Sequence, residues 1–298
     1  MKKSYVLYII GVVIATAFII VACNKNEEVT APTPQEINQA AFDALKSDIV
    51  QLNKDRFKET SMVSTTRMKW WKWLIIGIAD VGGSVLPSGG IAAGIAASTL
   101  AVKLCNNNIK KDNSQGAFYI SVDNTNVALS HVENQAWRNE SGYIHNKVIS
   151  DLYDEYGDDL FNLPEKELLE KANKKVAEIT KQTYIPFTIA EEQQSLQAVH
   201  QAVDLYGQST TAESYFGELK TIAPERANEI NVIQVAFDGL EQAMTSEEKA
   251  VYVGEVVQHI DAANISMVSK DIIKTGITVA NASGNLWTSP TVISNNQN

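Results

Sequence analysis

Apolar residues recur every three or four positions along most of this chain. Ile37, Ala41, Leu45, Ile49 and Leu52 form one stripe; Leu168, Ala172, Val176 and Ile179 form a second; Leu196, Val199, Val203 and Tyr206 form a third. Ile230, Ile233, Phe237, Leu240 and Met244 give the cleanest repeat, and Val253, Val257 and Ile260 follow it. This spacing places each set on one face of an α-helix, to be buried as core. Thr33…Glu36, Thr188…Glu191, Thr210…Glu213 and Thr245…Glu248 stand ahead of stripes with capping-box spacing. In that box the Thr oxygen accepts a free backbone N–H and the Glu reaches back to the cap. Pro34, Pro164 and Pro224 sit where a first helical residue belongs, since that N–H has no helical partner to lose. Strand signals are few. Ala117–Val122 is aromatic and β-branched, while Met267–Val279 mixes β-branched residues with a helical repeat. Cys105–Gly116, rich in Asn, Lys, Asp and Ser, reads as a loop. The pattern predicts an all-α, multi-helix bundle of roughly six to nine helices over residues 34–288, followed by a polar tail at 289–298.

One segment departs from the amphipathic rule. Lys69-Trp70-Trp71-Lys72-Trp73 leads into Leu74–Val81, and Val81 to Val102 carries no charge. Trp beside Lys suits a membrane interface, and 22 uncharged residues are long enough to span a bilayer. Against insertion stand the turn residues Leu86-Pro87-Ser88-Gly89-Gly90, which break the run near its middle. Only seven of the 22 residues are large aliphatics. At about −0.3 to −0.6 kcal/mol each they favour insertion by roughly 3 kcal/mol, before Gly, Ser and Pro reduce it. A central Asp80 would oppose insertion by about 2.5–3.5 kcal/mol. Gly90, Gly94 and Ser98 repeat every four residues and line one helix face with small side chains, which lets a second helix approach closely. The expectation is therefore a small-residue-rich helical hairpin buried in the bundle. The competing expectation is a membrane-active protein, pore-forming or bacteriocin-like, that uses residues 70–104. Pore-forming toxins store such a hairpin inside a helical bundle until release.

The N-terminus carries a different signal. Lys2 and Lys3 precede Tyr5–Ala22, which is free of charge, and Ile20-Val21-Ala22-Cys23 closes it. A basic start, an apolar stretch and a small residue before the cut mark a secretory signal. With Cys at the cut, the run resembles the lipobox of bacterial lipoproteins. The resemblance implies a signal peptide at 1–22, cleavage before Cys23 and acyl chains on Cys23. An uncleaved transmembrane anchor is the other account of residues 5–22, whose length allows it. Asn24-Lys25-Asn26-Glu27-Glu28 resembles the acidic export tag of Bacteroidetes-type surface lipoproteins, which implies exposure on the outer membrane. A plain solvated tether at 23–33 accounts for the same residues. Asn24 is not the Asp that marks inner-membrane retention in enteric-type sorting.

Cleavage would leave 276 residues with 23 basic and 35 acidic side chains, a net charge of −12. Such a surface repels phosphate backbones and argues against nucleic acid as a partner. Partners are then the membrane, through the anchor on Cys23, and a protein bound by the helical domain. After acylation Cys105 is the one remaining thiol, so no intramolecular disulfide or thiolate metal cluster forms.

Few residues of the chain point to chemistry. His131, His145, His200 and His259 show no metal-ligand spacing, and no nucleophile elbow, phosphate loop or dinucleotide fingerprint is present. No catalytic residue, metal or cofactor is assigned. Asp204 lies four residues after His200, a weak pairing better explained by a surface histidine. Asp151, Asp154, Glu155, Asp158 and Asp159 gather around Gly157 without the ligand spacing of a calcium loop, and read as a solvated acidic turn. Gly142-Tyr143-Ile144-His145-Asn146 is more distinctive. Together with Trp71-Lys72-Trp73 and Ala79-Asp80-Val81-Gly82-Gly83, it resembles a set of uncharacterised helical bacterial proteins over residues 67–153. That resemblance implies no activity. His145 and Asn146 are candidates for a ligand contact or for a structural polar role at a helix junction. The expected function is a lipid-anchored cell-envelope protein with a non-enzymatic binding or structural role, with an envelope hydrolase assembled from distant helices as a further alternative.

Overall fold

The computed structural model describes residues 34–57, 83, 91–111, 119–120, 141–209, 211–243 and 245–288. The chain divides into two units, residues 1–37 and 38–298, and the elements from Asn38 onward belong to the second. Nine α-helices occupy the described residues: α1 (Pro34–Arg56), α2 (Ile91–Lys111), α3 (Ser141–Tyr156), α4 (Glu165–Ile179), α5 (Ile189–Gln208), α6 (Ala212–Ile222), α7 (Ala227–Leu240), α8 (Ser246–Ala262) and α9 (Met267–Leu286). The protein is an all-α multi-helix bundle. Its extended pairing consists of β1 (Tyr119–Ile120) against β2 (Trp287–Thr288), antiparallel with Tyr119 opposite Thr288 and Ile120 opposite Trp287.

Two apolar cores organise the helices. Phe42, Leu45 and Ile49 of α1 pack with Phe216 of α6, Ile233 and Phe237 of α7, Val256 and Ile260 of α8 and Ile277 of α9. Ile95 and Leu100 of α2, Val148 and Leu152 of α3 and Leu168 of α4 form the second core. Helix α5 serves both, giving Ala198 and Leu205 to the first and Val199 and Ala202 to the second. Its buried face is accordingly wider than the predicted stripe, and Leu196, Val203 and Tyr206 are only partly buried. Two helices are enclosed on every side for much of their length. Each residue from Ala93 to Val102 of α2 is buried, as is each from Gly276 to Ser283 of α9. No helix among the described residues is long and apolar enough to cross a membrane.

Several local expectations meet corrections. The capping boxes at Thr188–Glu191 and Thr245–Glu248 form with both reciprocal bonds. The cap of α6 is Thr211, whose side chain accepts from the Ser214 N–H, one residue after the predicted Thr210. The second of two adjacent threonines holds the extended backbone that a cap needs. Pro164 is the cap of α4 rather than its first residue, and Pro224 opens a 3-10 turn, Pro224–Arg226, ahead of α7. Cys105 to Lys111 is helix, not loop. Adding a residue to a nucleated helix is far cheaper than starting one, and lysines at its end favour the negative pole of the dipole. Of the strand expected at 117–122, Tyr119 and Ile120 are described and form β1, while 117–118 and 121–122 lie outside the described residues; the ambiguous run from Met267 is helix throughout.

Candidate functional site

Helices α3 and α9 pack in close contact along much of their length. A Cβ placed on Gly142 would lie 2.8 Å from Ala282 Cβ and nearer still to the Thr278 carbonyl oxygen. Glycine at 142 and alanine at 282 are therefore what allow the two backbones to touch. His145 and Asn146 stand one turn further along α3, and both are fully buried. Asn146 Nδ2 donates to the Ala282 carbonyl at 2.9 Å. With its amide nitrogen committed to that carbonyl, Asn146 turns Oδ1 toward His145 Nδ1, also at 2.9 Å. Ser141, Asn281 and Ser283 are buried on the same two helices. The candidate pair thus sits at a helix junction, where the Asn146 amide holds α3 to α9.

The other candidates disperse. Gly94 and Ser98 are buried within α2, and the Ser98 hydroxyl donates to the Ile95 carbonyl at 3.1 Å. A Cβ on Gly83 would lie 2.8 Å from the Ala93 carbonyl oxygen and 3.0 Å from Gly94 Cα. Gly83 and the first turn of α2 are thus in close backbone contact, a geometry that small residues permit. Helix α2 itself packs against α3, α4 and α5. Gly90, the turn at 84–90, Trp70–Trp73 and the lipidation residue Cys23 lie outside the described residues. His200 is exposed on α5 and pairs with Glu165 of α4 rather than with Asp204.

Three of the acids around Gly157, namely Asp151, Glu155 and Asp158, are engaged by lysines and tyrosines. Lys147 pairs with Asp151, and this hydrogen bond raises the lysine above its ordinary pKa. Tyr153 donates to Asp158 at 3.1 Å, Tyr156 donates to Glu155 at 2.7 Å, and Lys175 lies 3.4 Å from Glu155. The bond from Tyr156 holds the Glu155 carboxyl below the usual range. Among the described residues no group of three or more His, Cys, Asp or Glu could hold a metal ion.

Three polar features escaped the sequence. Asn53 Nδ2 donates to the Val235 carbonyl at 2.9 Å, while its Oδ1 accepts from the fully buried Tyr252 hydroxyl at 2.7 Å. This ties α1 to α7 and α8, with Gly239 making room, because a Cβ there would strike both side chains. Burial drives the Tyr252 hydroxyl well above the ordinary tyrosine range. Glu229 of α7 is buried and accepts from Ser269 Oγ at 2.7 Å, and Ser269 in turn accepts from Ser266, the cap of α9. Lys249 lies on the buried face of α8, and desolvation lowers its pKa to about 8. Its place in the Lys249, Val253, Val256, Ile260 series was the one available signal. Comparison with family models, with curated proteins and with solved structures gives no match to this chain.

Proposed function

We propose that this chain is a lipid-anchored cell-envelope protein whose helical domain has a binding or structural role rather than a catalytic one. The observation that carries the anchor is the run Ile20-Val21-Ala22-Cys23 behind a basic start and an uncharged apolar stretch. The acidic segment after Cys23 favours the outer membrane and its outer face. The non-catalytic role draws support from the way candidate side chains are used. Asn146 joins two helices and meets His145, His200 pairs with Glu165, and Asp151, Glu155 and Asp158 near Gly157 pair with lysine or tyrosine. A net charge of −12 on the mature chain directs such a domain toward proteins and away from nucleic acid.

Mass spectrometry of the mature N-terminus tests the anchor. The expected species begins at Cys23 with acyl chains on its sulfur and amine. An intact Met1, or an unacylated Cys23, refutes it. Protease treatment of intact cells separates a surface location, where the domain is digested, from a periplasmic one, where it survives until lysis.

A further inference from the structure

We propose that the link between α4 and α5 is an endopeptidase site, cut behind Tyr184 or Phe187 to leave a folded two-chain form. Gln182 to Thr188 run seven residues without helix, turn or bend, and no other link between helices in residues 141–288 has such a run among its described residues. The sequence favours this path. Ile185 precedes Pro186, which pushes it toward extended backbone, and the proline ring fixes its own φ. The helices on either side are closed off from the link. Lys181 takes the left-handed φ of 54° that ends a helix. Its N–H donates to the Glu178 carbonyl, and that of Gln182 donates to the Ala177 carbonyl. Thr188 opens α5 with its capping box. Among the described residues, the one hydrogen bond to the backbone between Thr183 and Phe187 comes from Asn173 Nδ2 to the Ile185 carbonyl, at 3.2 Å.

An endopeptidase holds its substrate as an extended strand, with main-chain bonds for affinity and pockets for alternate side chains. The link offers that shape. Ile185 is 75% exposed and Ile189 79%, and Thr183 and Pro186 are exposed beside them. Tyr184 and Phe187 are half-buried, Phe187 against the second core. Thr183–Thr188 carries two aromatic rings and no charge, so the matching enzyme has an apolar specificity pocket. The Ile185–Pro186 bond lacks the N–H of an ordinary peptide, which leaves the bonds after Tyr184 and Phe187 as the ones to cut. Hydrolysis adds water across the C–N bond, giving a carboxylate on the aromatic residue and an ammonium on Ile185 or Thr188. At Thr188 that ammonium forms where the backbone nitrogen already lies 2.8 Å from Glu191 Oε2, so the cap of α5 survives the cut. Leu168, Leu169 and Ala172 of α4 and Val199 and Ala202 of α5 stay in the second core, which keeps the two chains together. None of this requires lipidation at Cys23.

The test exposes the full chain in detergent micelles to a low dose of chymotrypsin, and separately to subtilisin as a probe of broad specificity. Cleavage follows the fraction of time a site is accessible, and helical sites must open first. Within residues 141–288 both enzymes are expected to cut first inside the link. Chymotrypsin should give new N-termini at Ile185 or Thr188, and subtilisin should give termini between Thr183 and Ile189. The cut should outpace cleavage at Tyr153, Phe161 or Tyr215 by about tenfold or more. The two chains should then co-elute in gel filtration, keep the helical circular dichroism of the intact protein, and separate in denaturant. A first cut elsewhere in residues 141–288, or a link that either enzyme leaves intact, overturns the site. Chains that part without denaturant overturn the two-chain form.

Discussion

Replacing Gly142 with alanine adds one carbon atom at the place where α3 and α9 touch, and two effects then oppose each other. Alanine is the better helix former, by about 1 kcal/mol in a helix interior and less at position 142, which is the second residue of α3. The new Cβ would meet Ala282 Cβ at 2.8 Å and a backbone carbonyl oxygen more closely still. Neither neighbour is the far end of a flexible chain, so the helices themselves must separate. Overpacking of this kind costs about 1–3 kcal/mol. Separation also stretches the bond from Asn146 Nδ2 to the Ala282 carbonyl, and a buried donor left without a partner costs about 1–3 kcal/mol more. The clash wins, and Gly142→Ala should be less stable by about 1–6 kcal/mol. For a domain of this size each kcal/mol lowers Tm by about 2–4 °C.

Gly254→Ala supplies the control. Gly254 lies inside α8 and a Cβ there meets nothing within 4 Å. Only the propensity gain applies, so this variant should be more stable than wild type by up to about 1 kcal/mol. Urea unfolding followed by circular dichroism measures both. If Gly142→Ala matches or exceeds the stability of wild type while Gly254→Ala behaves as stated, the close approach of α3 and α9 is wrong.

Lys249 has a folded pKa of about 8 against 10.5 for the ordinary side chain, so the unfolded chain holds its proton more tightly. Its contribution to stability therefore rises as pH climbs from about 8 to 10.5, by at most about 3 kcal/mol. Lys249→Met should be more stable than wild type at pH 7, and urea unfolding across pH 7–10 should show that gap closing. Tyr252→Phe leaves the Oδ1 of Asn53 without its 2.7 Å donor and should cost about 1–3 kcal/mol. In urea unfolding, adding Asn53→Ala to it should cost less than the two single changes summed, and strict additivity would deny the contact. Gly94→Leu enlarges a buried position on α2 and should lower the Tm of the delipidated protein, with about 1–3 kcal/mol lost. An unchanged Tm, together with dye leakage from vesicles caused by the wild-type protein, would instead point to membrane insertion.

The helices were legible wherever one face alone is buried. The Ile230, Ile233, Phe237, Leu240 series of α7 is buried in the fold, with Val232 and Ala236 beside it, because α7 packs into a single core. The same reading blurred on α5, where two cores claim adjacent faces and Ala198 and Ala202 carry contacts that a search for large side chains passes over. It also shifted on α1, where Phe42 is buried and Ala41 only partly so. Caps were legible because their chemistry spans three residues of one segment. The cap fell at Thr211 rather than Thr210 because both positions carry the same side chain, and side-chain chemistry alone does not choose between them.

The candidate pair shows where this kind of reading stops. His145 and Asn146 stood out in the sequence, yet their roles depend on Ala282, 136 residues after Asn146. Nothing local marks that carbonyl, because a helical backbone oxygen near the C-terminal end of α9 is chemically like its neighbours. What singles it out is the missing side chain at Gly142, which lets α3 come close enough for an asparagine to reach it. A glycine two residues into a helix looks like a weak start in the sequence, and in the fold it is the condition for the joint. The bonding that fixes His145 then follows in order: glycine admits the approach, the carbonyl orients Asn146, and Asn146 sets the imidazole tautomer. A larger residue at 142 should therefore disturb the nitrogen chemistry of His145 as well as stability, since both depend on the same separation of α3 from α9. The 15N signature of His145 in Gly142→Ala should accordingly lose its fixed Nδ1–H form. A retained signature would mean that Asn146 does not need the close approach to reach Ala282.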